Sequence, residues 1–152
     1  MSFEYDKKRT HDSFYKNEDQ FSIPKEYFKE AGSILLKEFR KKNNNAIDFI
    51  DIGCAAGDFL RYIHSIANED FKINYFGSDV MKELLEESKK RFPKGDFKVT
   101  DLSIESEKIS DKFNKKFDLI TMLGVHMIFD ELFWLDSIIQ SLKDDGKAII
   151  YG

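Results

Sequence analysis

Five consecutive small residues, Gly53 to Gly57, join a short apolar run to an amphipathic segment, and this junction constrains the fold more than any other part of the sequence. The run at 46–52 is typical of a strand that is buried on both faces, and a helix is predicted at 58–67. Small side chains let the backbone approach a ligand closely, and the first N–H groups of the following helix are free to bind it. The sequence therefore predicts a ligand site at a strand-to-helix turn.

The rest of the chain repeats this alternation of strands and helices. Further strands are predicted at 72–78, 96–100, 117–123 and 147–151. Further helices are predicted at 24–42, 81–92 and 130–142. Strands that alternate with helices predict an α/β fold, a doubly wound, mostly parallel sheet with helices on both faces. Ligands bind such a sheet in a crevice at the carboxyl ends of its strands, so the residues that follow each strand are candidates for the site.

Composition limits the class of protein. The 152 residues are 41% hydrophobic and 34% charged, which is the balance of one globular domain with a substantial core. No run approaches the roughly 18 apolar residues of a membrane helix and no signal peptide is evident, so we expect a cytoplasmic protein with no membrane partner. The net charge of −4 argues against nucleic acid as a partner. The single cysteine and the scattered histidines predict neither a disulfide nor a metal site.

The positions of the glycines distinguish between nucleotide ligands. A dinucleotide-binding turn would place glycines at positions 53, 55 and 58, whereas the chain has Gly53, Ala55 and Asp58, with its second glycine at Gly57. This spacing disfavours a nicotinamide-dependent oxidoreductase, which stays as an alternative. The string at 49–59, Phe-Ile-Asp-Ile-Gly-Cys-Ala-Ala-Gly-Asp-Phe, resembles motif I of the class I S-adenosylmethionine-dependent methyltransferases, a Rossmann-like family. Ala55 departs from the glycine that is usual at that place in the motif.

Three further segments resemble later motifs of the same family. Asp79 follows the second predicted strand, where a carboxylate can accept hydrogen bonds from both ribose hydroxyls, as in motif II. The stretch at 100–102 resembles the segment that contacts adenine, and 117–124 resembles motif IV beside the methyl donor. The resemblance implies a set of cofactor contacts: Asp51, Gly53, Cys54, Ala55, Gly57, Asp79, Val80, Asp101, Leu102, Met122, Leu123 and Gly124.

The resemblance also implies an activity. S-adenosylmethionine would donate a methyl group to an oxygen or nitrogen of a small-molecule or sugar-like acceptor, with S-adenosylhomocysteine as product. His126 lies where its neutral ring could accept the proton of the acceptor. Residues 1–23 are expected to form an arm or lid that carries His11 and Tyr15, and 24–152 to form the cofactor-binding domain. A non-catalytic cofactor-binding or assembly protein with the same fold is a second alternative.

The fold of the family implies the strand order 3-2-1-4-5, followed by two further strands. This sequence ends after the fifth predicted strand, so it looks like a domain that lacks its C-terminal strand pair. The fifth strand would then be an exposed edge of the sheet, through which the chain could form a homo-oligomer.

Overall fold

A computed structural model describes residues 24–42, 45–124 and 132–152 of the chain. These residues form five strands and five helices. The helices are α1 (Glu26–Lys41), α2 (Asp58–Ala67), α3 (Lys82–Arg91), α4 (Ile109–Phe113) and α5 (Phe133–Gln140). The strands are β1 (Ile47–Ile52), β2 (Ile73–Asp79), β3 (Asp96–Val99), β4 (Phe117–Leu123) and β5 (Leu142–Tyr151). No helix among the described residues has the length and apolar character needed to cross a membrane.

The five strands form one sheet in the order β3-β2-β1-β4-β5, and every neighbouring pair is parallel. This confirms the predicted doubly wound sheet and its strand order. β1 lies at the centre, and its Asp51 is opposite Gly77 of β2 and Thr121 of β4. The carboxyl ends of these three strands therefore meet at one edge of the sheet, where the order reverses direction and a crevice forms.

The sheet is covered on both faces, and each face has its own apolar core. One core joins the sheet to α1, α2 and α3, and its largest fully buried side chains include Leu35, Phe39, Phe49, Leu60 and Ile63. The other core joins the sheet to α4 and α5, with members such as Ile50, Ile109, Phe117, Trp134 and Ile138. Phe49 and Ile50 belong to opposite cores because successive side chains of a strand point to opposite faces.

The largest differences from the predicted element bounds lie at the last helix and the last strand. The last helix ends at Gln140 rather than 142, because Ser141 leaves the helix and its carbonyl accepts the N–H of Phe117 at 2.7 Å. β5 begins at Leu142 rather than 147, and its pairing shifts register between Leu142 and Lys147. The turn-forming residues at 144–146 therefore interrupt the strand instead of preceding it. The short helix α4 was not predicted, because five residues are too few to show helical periodicity.

Lysines surround two aspartates at the amino ends of β1 and β4. Lys143 Nζ lies 3.2 Å from Asp48 Oδ2 and 3.0 Å from Asp118 Oδ2. Lys115 pairs with Asp48 at 3.2 Å, and Lys42 pairs with Asp118 at 3.4 Å. The backbone N–H of Asp48 also donates to Asp118 Oδ2 at 2.8 Å. These contacts form one network that joins β1, β4 and β5 at the end of the sheet away from the crevice.

Candidate functional site

The loop between β1 and α2 turns through left-handed backbone conformations. The φ angles are +75° at Gly53, +49° at Ala55 and +87° at Gly57. The left-handed conformation costs an alanine about 1 kcal/mol, because its Cβ approaches the following carbonyl oxygen. The backbone N–H of Ala55 donates to Asp79 Oδ2 at 2.9 Å, and this bond across the top of the sheet offsets part of the strain. The loop is thus tied to the end of β2 at the residue that departs from the family motif.

Two side chains of α3 hold the same loop from behind. The Ser88 hydroxyl, fully buried, donates to the carbonyl of Ala55 at 2.9 Å. Arg91 Nη1 donates to the carbonyl of Ala56 and to Asp58 Oδ1, each at 2.7 Å. Two carbonyls of the turn are therefore satisfied by α3. The N–H groups of Gly53 and Cys54 donate to the Ser78 carbonyl, so the loop is also fixed to the end of β2.

Close packing explains two of the small residues around the loop. A Cβ on Gly57 would stand 3.0 Å from Ser88 Oγ, and one on Gly77 would stand 2.7 Å from Cys54 Sγ. The Cys54 thiol is buried, and burial, together with the nearby carboxylates of Asp51 and Asp79, raises its pKa well above the usual value. Cys54 is therefore an unreactive packing residue whose backbone lines the site.

Asp51 is a buried acid at the carboxyl end of β1. Asp51 is only 3% exposed, and the Thr121 hydroxyl donates to its Oδ1 at 2.7 Å. The pKa of Asp51 is raised to about 7: burial raises it most, the Thr121 bond lowers it, and the negative charge of Asp79 adds to the rise. No lysine or arginine among the described residues contributes to this pKa. The Asp51 carboxylate thus lacks a cation within the described part of the chain.

Asp79, the last residue of β2, is held by backbone N–H groups. Its Oδ2 accepts from Ala55 and its Oδ1 from Met81, both at 2.9 Å. Burial raises the pKa of Asp79 above its ordinary value, and the backbone bonds oppose this shift. The backbone N–H of Val80 is a third group that acts on this carboxylate, which leaves one of its four lone-pair sites to accept from a ligand hydroxyl. The side chain is fixed at the carboxyl end of β2, where it holds the N–H of Ala55.

A cavity of about 220 Å³, here called the crevice, opens beside this loop. It is lined by residues of α1, of the turn after β1 and of the end of β4: Lys25, Tyr27, Phe28, Asp51, Gly53, Cys54, Ala55, Asp58, Phe59, Leu123 and Gly124. The structure therefore brings six of the predicted cofactor residues together: Asp51, Gly53, Cys54, Ala55, Leu123 and Gly124.

The sequence analysis did not identify the contribution of α1 to this crevice, nor that of the side chains of Asp58 and Phe59 at the start of α2. Lys25, Tyr27 and Phe28 were assigned only to a first helix, and nothing in their spacing indicates that the amino end of this helix reaches the crevice. Tyr27 also stacks on Tyr151 of β5, with ring centroids 4.9 Å apart. This contact connects the rim of the crevice to the edge of the sheet.

The other predicted cofactor residues lie outside the lining of the crevice: Gly57, Asp79, Val80, Asp101, Leu102 and Met122. Met122 is fully buried in the core beneath α4 and α5, so its side chain packs there and does not face the crevice. Asp101 Oδ1 accepts from the hydroxyl and the backbone N–H of Ser103, at 2.6 and 3.0 Å. Leu102 is 2% exposed. The adenine assignment therefore stays a prediction. The predicted residues His126, His11 and Tyr15 lie outside the described part of the chain.

Comparison with known proteins identifies the family. The family described as "Methyltransferase domain" matches residues 50–148, about two thirds of the chain and all of the crevice except the contribution of α1. No curated protein matches the chain.

Solved structures share the fold at low sequence identity. The CurJ carbon methyltransferase is 16% identical with a TM-score of 0.68, over 81% of this chain and 34% of that one. The plantazolicin methyltransferase BpumL, solved with S-adenosylhomocysteine and a desmethylPZN analog, is 20% identical with a TM-score of 0.67, over 95% and 52%. A methyltransferase from Thiobacillus denitrificans, solved with S-adenosylhomocysteine, is 19% identical with a TM-score of 0.59, over 93% and 53%.

The chain therefore spans between about a third and just over half of the length of these three proteins. Their likeness shows the fold, and the family match covers most of that fold. The small-residue loop, the order of the sheet and this match lead to one conclusion: the chain belongs to the class I S-adenosylmethionine-dependent methyltransferase family.

Proposed function

We propose that this chain binds S-adenosylmethionine in the crevice and forms the cofactor-binding part of a methyltransferase. The observation that carries the proposal is the buried Asp51 carboxyl, which lines the crevice and has no cationic partner among the described residues. A buried carboxylate without a cation is costly, and such groups concentrate at ligand sites. A ligand with a positive charge would remove that cost.

The described residues fit the amino-acid end of this cofactor. That end carries an ammonium and a carboxylate, and the crevice offers Asp51 for the first and Lys25 at its rim for the second. The small residues 53–57 leave room for the backbone to approach, and the start of α2 follows directly. Asp79 lies where ribose hydroxyls would meet the end of β2.

The bound cofactor would supply a methyl group already activated by its sulfonium charge. The work left to the protein is alignment. Asp51 would fix the amino-acid end, Asp79 would fix the ribose, and Ser88 and Arg91 would keep the intervening loop in one conformation. When binding holds the donor within a narrow range of positions, binding energy offsets part of the entropic cost of reaching the transition state.

We further propose an oxygen or nitrogen of a small-molecule or sugar-like molecule as the acceptor, with His126 as the base that takes its proton. The net charge of −4 favours such an acceptor over a polyanion. Structural neighbours include both carbon methyltransferases and the plantazolicin enzyme, so the fold alone is compatible with several acceptor atoms.

The proposal includes residues 1–23 as an arm beside the crevice, with His11 and Tyr15 near the acceptor. It is supported by the start of α1, because Lys25 and Tyr27 line the crevice and the arm joins the fold there. Association through the β5 edge and a cytoplasmic location complete the proposal. β5 pairs only with β4 among the described residues.

Calorimetry with S-adenosylhomocysteine tests the function directly. We expect saturable one-to-one binding and a rise in melting temperature with ligand concentration. A parallel titration with NADH should give no saturable signal. Folded protein that does not bind S-adenosylhomocysteine, or that binds NADH instead, would contradict the proposal. Incubation with labelled S-adenosylmethionine and a panel of hydroxyl and amine acceptors then separates an enzyme from a binding protein.

A further inference from the structure

A second and larger cavity lies at the other end of the strands from the crevice. Its volume is about 630 Å³, and it lies between α2 and α3 over the start of β2. Its walls include Arg61 and His64 of α2, Tyr75 of β2, and Phe92 and Lys94 after α3. We call it the α2–α3 pocket. Neither the proposed methyl transfer nor any cofactor motif of the sequence makes use of these side chains.

Three rings in mutual contact form the apolar part of this pocket. The Tyr75 and Phe92 centroids are 4.9 Å apart, and His64 lies edge-on to both, at 5.9 and 6.0 Å. Burial raises the pKa of the Tyr75 phenol, so this ring is neutral at physiological pH. Such a cluster presents ring faces and edges to any planar molecule that enters.

The charges around these rings have one sign. Arg61, Arg91 and Lys94 line the pocket, and no acidic side chain of the described residues does, although the chain has 28 acidic residues and a net charge of −4. Arg91 also pairs with Asp58 at 2.7 Å and with Glu87 at 4.0 Å, so its charge is partly balanced. Lys94 lies at the turn between α3 and β3.

From the ring cluster and this one-sided charge, we propose that the α2–α3 pocket binds a small aromatic anion. The ligand would place its ring system against Tyr75, Phe92 and His64, and its carboxylate, sulfonate or phosphate toward Lys94. A volume of about 630 Å³ is within the usual range for pockets that bury most of a small ligand. The pocket is lined by none of the residues of the crevice.

Two fluorescent probes of matched shape test the proposal. One is 1-anilinonaphthalene-8-sulfonate, and the other is N-phenyl-1-naphthylamine, which has the same rings without the sulfonate. Both are titrated into the full chain with S-adenosylhomocysteine in excess, so that the crevice is not available to them. We expect saturable binding of the sulfonate at least about fivefold tighter than that of the neutral amine, a difference of roughly 1 kcal/mol.

A pair of charge reversals locates the site. Lys94→Glu changes a lining residue, whereas Lys90→Glu makes the same change of charge on α3 at a side chain that is 77% exposed and outside the pocket. We expect Lys94→Glu to weaken binding of the sulfonate at least about fivefold and Lys90→Glu to weaken it less than twofold. Binding of the neutral amine should not change in either variant.

Three results would overturn the proposal. The first is an equal loss of sulfonate affinity in Lys94→Glu and Lys90→Glu. The second is equal affinity of the wild type for the two probes. The third is displacement of the sulfonate by S-adenosylhomocysteine, which would place the probe in the crevice. The proposal does not depend on methyl transfer. If S-adenosylhomocysteine fails to bind at all, the comparison of Lys94→Glu with Lys90→Glu still decides the matter.

Discussion

The aspartates at the two ends of the central strands have the same side chain, but their pKa values shift in opposite directions. Asp48 and Asp118 lie at the amino ends of β1 and β4. Burial acts to raise the pKa of both, but hydrogen bonds and nearby lysines outweigh it, so both pKa values are lowered. Asp51 and Asp79 lie at the carboxyl ends of β1 and β2, and there burial prevails, so both pKa values are raised.

The two pairs differ in the groups that neutralise or hydrogen-bond each carboxylate. The protein supplies its own cations to Asp48 and Asp118, and this network secures the strands to one another. For Asp51, the described residues supply only the Thr121 hydroxyl. The first pair is therefore a structural feature, whereas our proposal gives Asp51 its partner from a ligand. Changing Asp51 to an amide should mainly weaken ligand binding, whereas the same change at Asp48 or Asp118 should mainly lower stability.

The largest effect is expected for Asp51→Asn. The amide keeps the shape and can still accept from Thr121, but it removes the charge that would pair with the ammonium of the cofactor. We expect affinity for S-adenosylhomocysteine to fall roughly 30- to 100-fold, as for loss of a charged hydrogen bond. Because a buried carboxylate is removed, the ligand-free protein should be at least as stable as the wild type at pH 8.

The control is Asp48→Asn, the same change on the same strand at the other end of the sheet. It should leave the affinity within twofold of the wild type, since Asp48 contacts lysines and not the crevice. Calorimetry and thermal unfolding measure both quantities. Equal losses of affinity in the two variants would show that Asp51 has no special role.

The next effect is expected for Asp79→Ala, and it combines binding with stability. Loss of the ribose contact should weaken S-adenosylhomocysteine about tenfold. The variant also leaves the N–H groups of Ala55 and Met81 without their acceptor, which costs about 1–3 kcal/mol in the free energy of unfolding. Asp79→Asn keeps an acceptor oxygen and should recover part of the stability. If both variants bind like the wild type, the ribose assignment is wrong.

A smaller effect is expected from pH, and its sign follows from the pKa of Asp51. The unfolded carboxyl titrates near its model value of 3.8 and the folded one near 7. Between these values the folded state holds the proton more tightly, so the Asp51 contribution to stability is present below pH 3.8 and is lost as pH rises through 7. Binding of a cationic group has the opposite trend and should strengthen up to about tenfold per unit as pH rises toward 7.

Calorimetry from pH 5.5 to 8.5 measures this trend. The wild-type affinity should level off above pH 7, and the slope below it should disappear in Asp51→Asn. A slope that persists in that variant would assign the titration to another group.

The smallest effect on binding is expected for Asp118→Asn, which tests the opposite end. The change removes charged contacts with Lys42 and Lys143 and should lower the free energy of unfolding by about 1–2 kcal/mol at pH 7. Since the pKa of Asp118 is lowered by folding, this contribution is present above pH 3.8 and is lost as pH falls through the folded value. Urea denaturation at pH 7 and pH 3 should show a larger difference at pH 7 than at pH 3, with affinity for S-adenosylhomocysteine unchanged.

Local sequence patterns were sufficient for the fold and for one part of the crevice. The apolar run before Gly53 predicts β1, and five such runs alternating with helices predict a parallel sheet, because both signals lie within a few consecutive residues. The strand order came from the resemblance to the family. Asp51 and Ala55 were identified from the same short stretch, through its resemblance to motif I of the family.

Contacts between distant positions were not accessible in this way. Ser88 and Arg91 lie in a polar segment that reads as an ordinary surface helix, yet both reach the loop carbonyls more than 30 positions earlier. Met122 matches a family motif by position, but the alternation of side chains along β4 places it in the core. The interruption of β5 depends on pairing with Phe117, which only the assembled sheet provides.

The approach of Ser88 to Gly57 has a consequence for how this sequence can vary. With only 3.0 Å between Ser88 Oγ and the place a Cβ on Gly57 would occupy, the two positions share one volume. A side chain at 57 must tolerate the φ of +87° and also needs a residue smaller than serine at 88, or the loop moves. Substitutions at 57 and 88 should therefore be correlated among functional sequences, and a library randomised at both positions and selected for ligand binding should return mainly pairs of small residues.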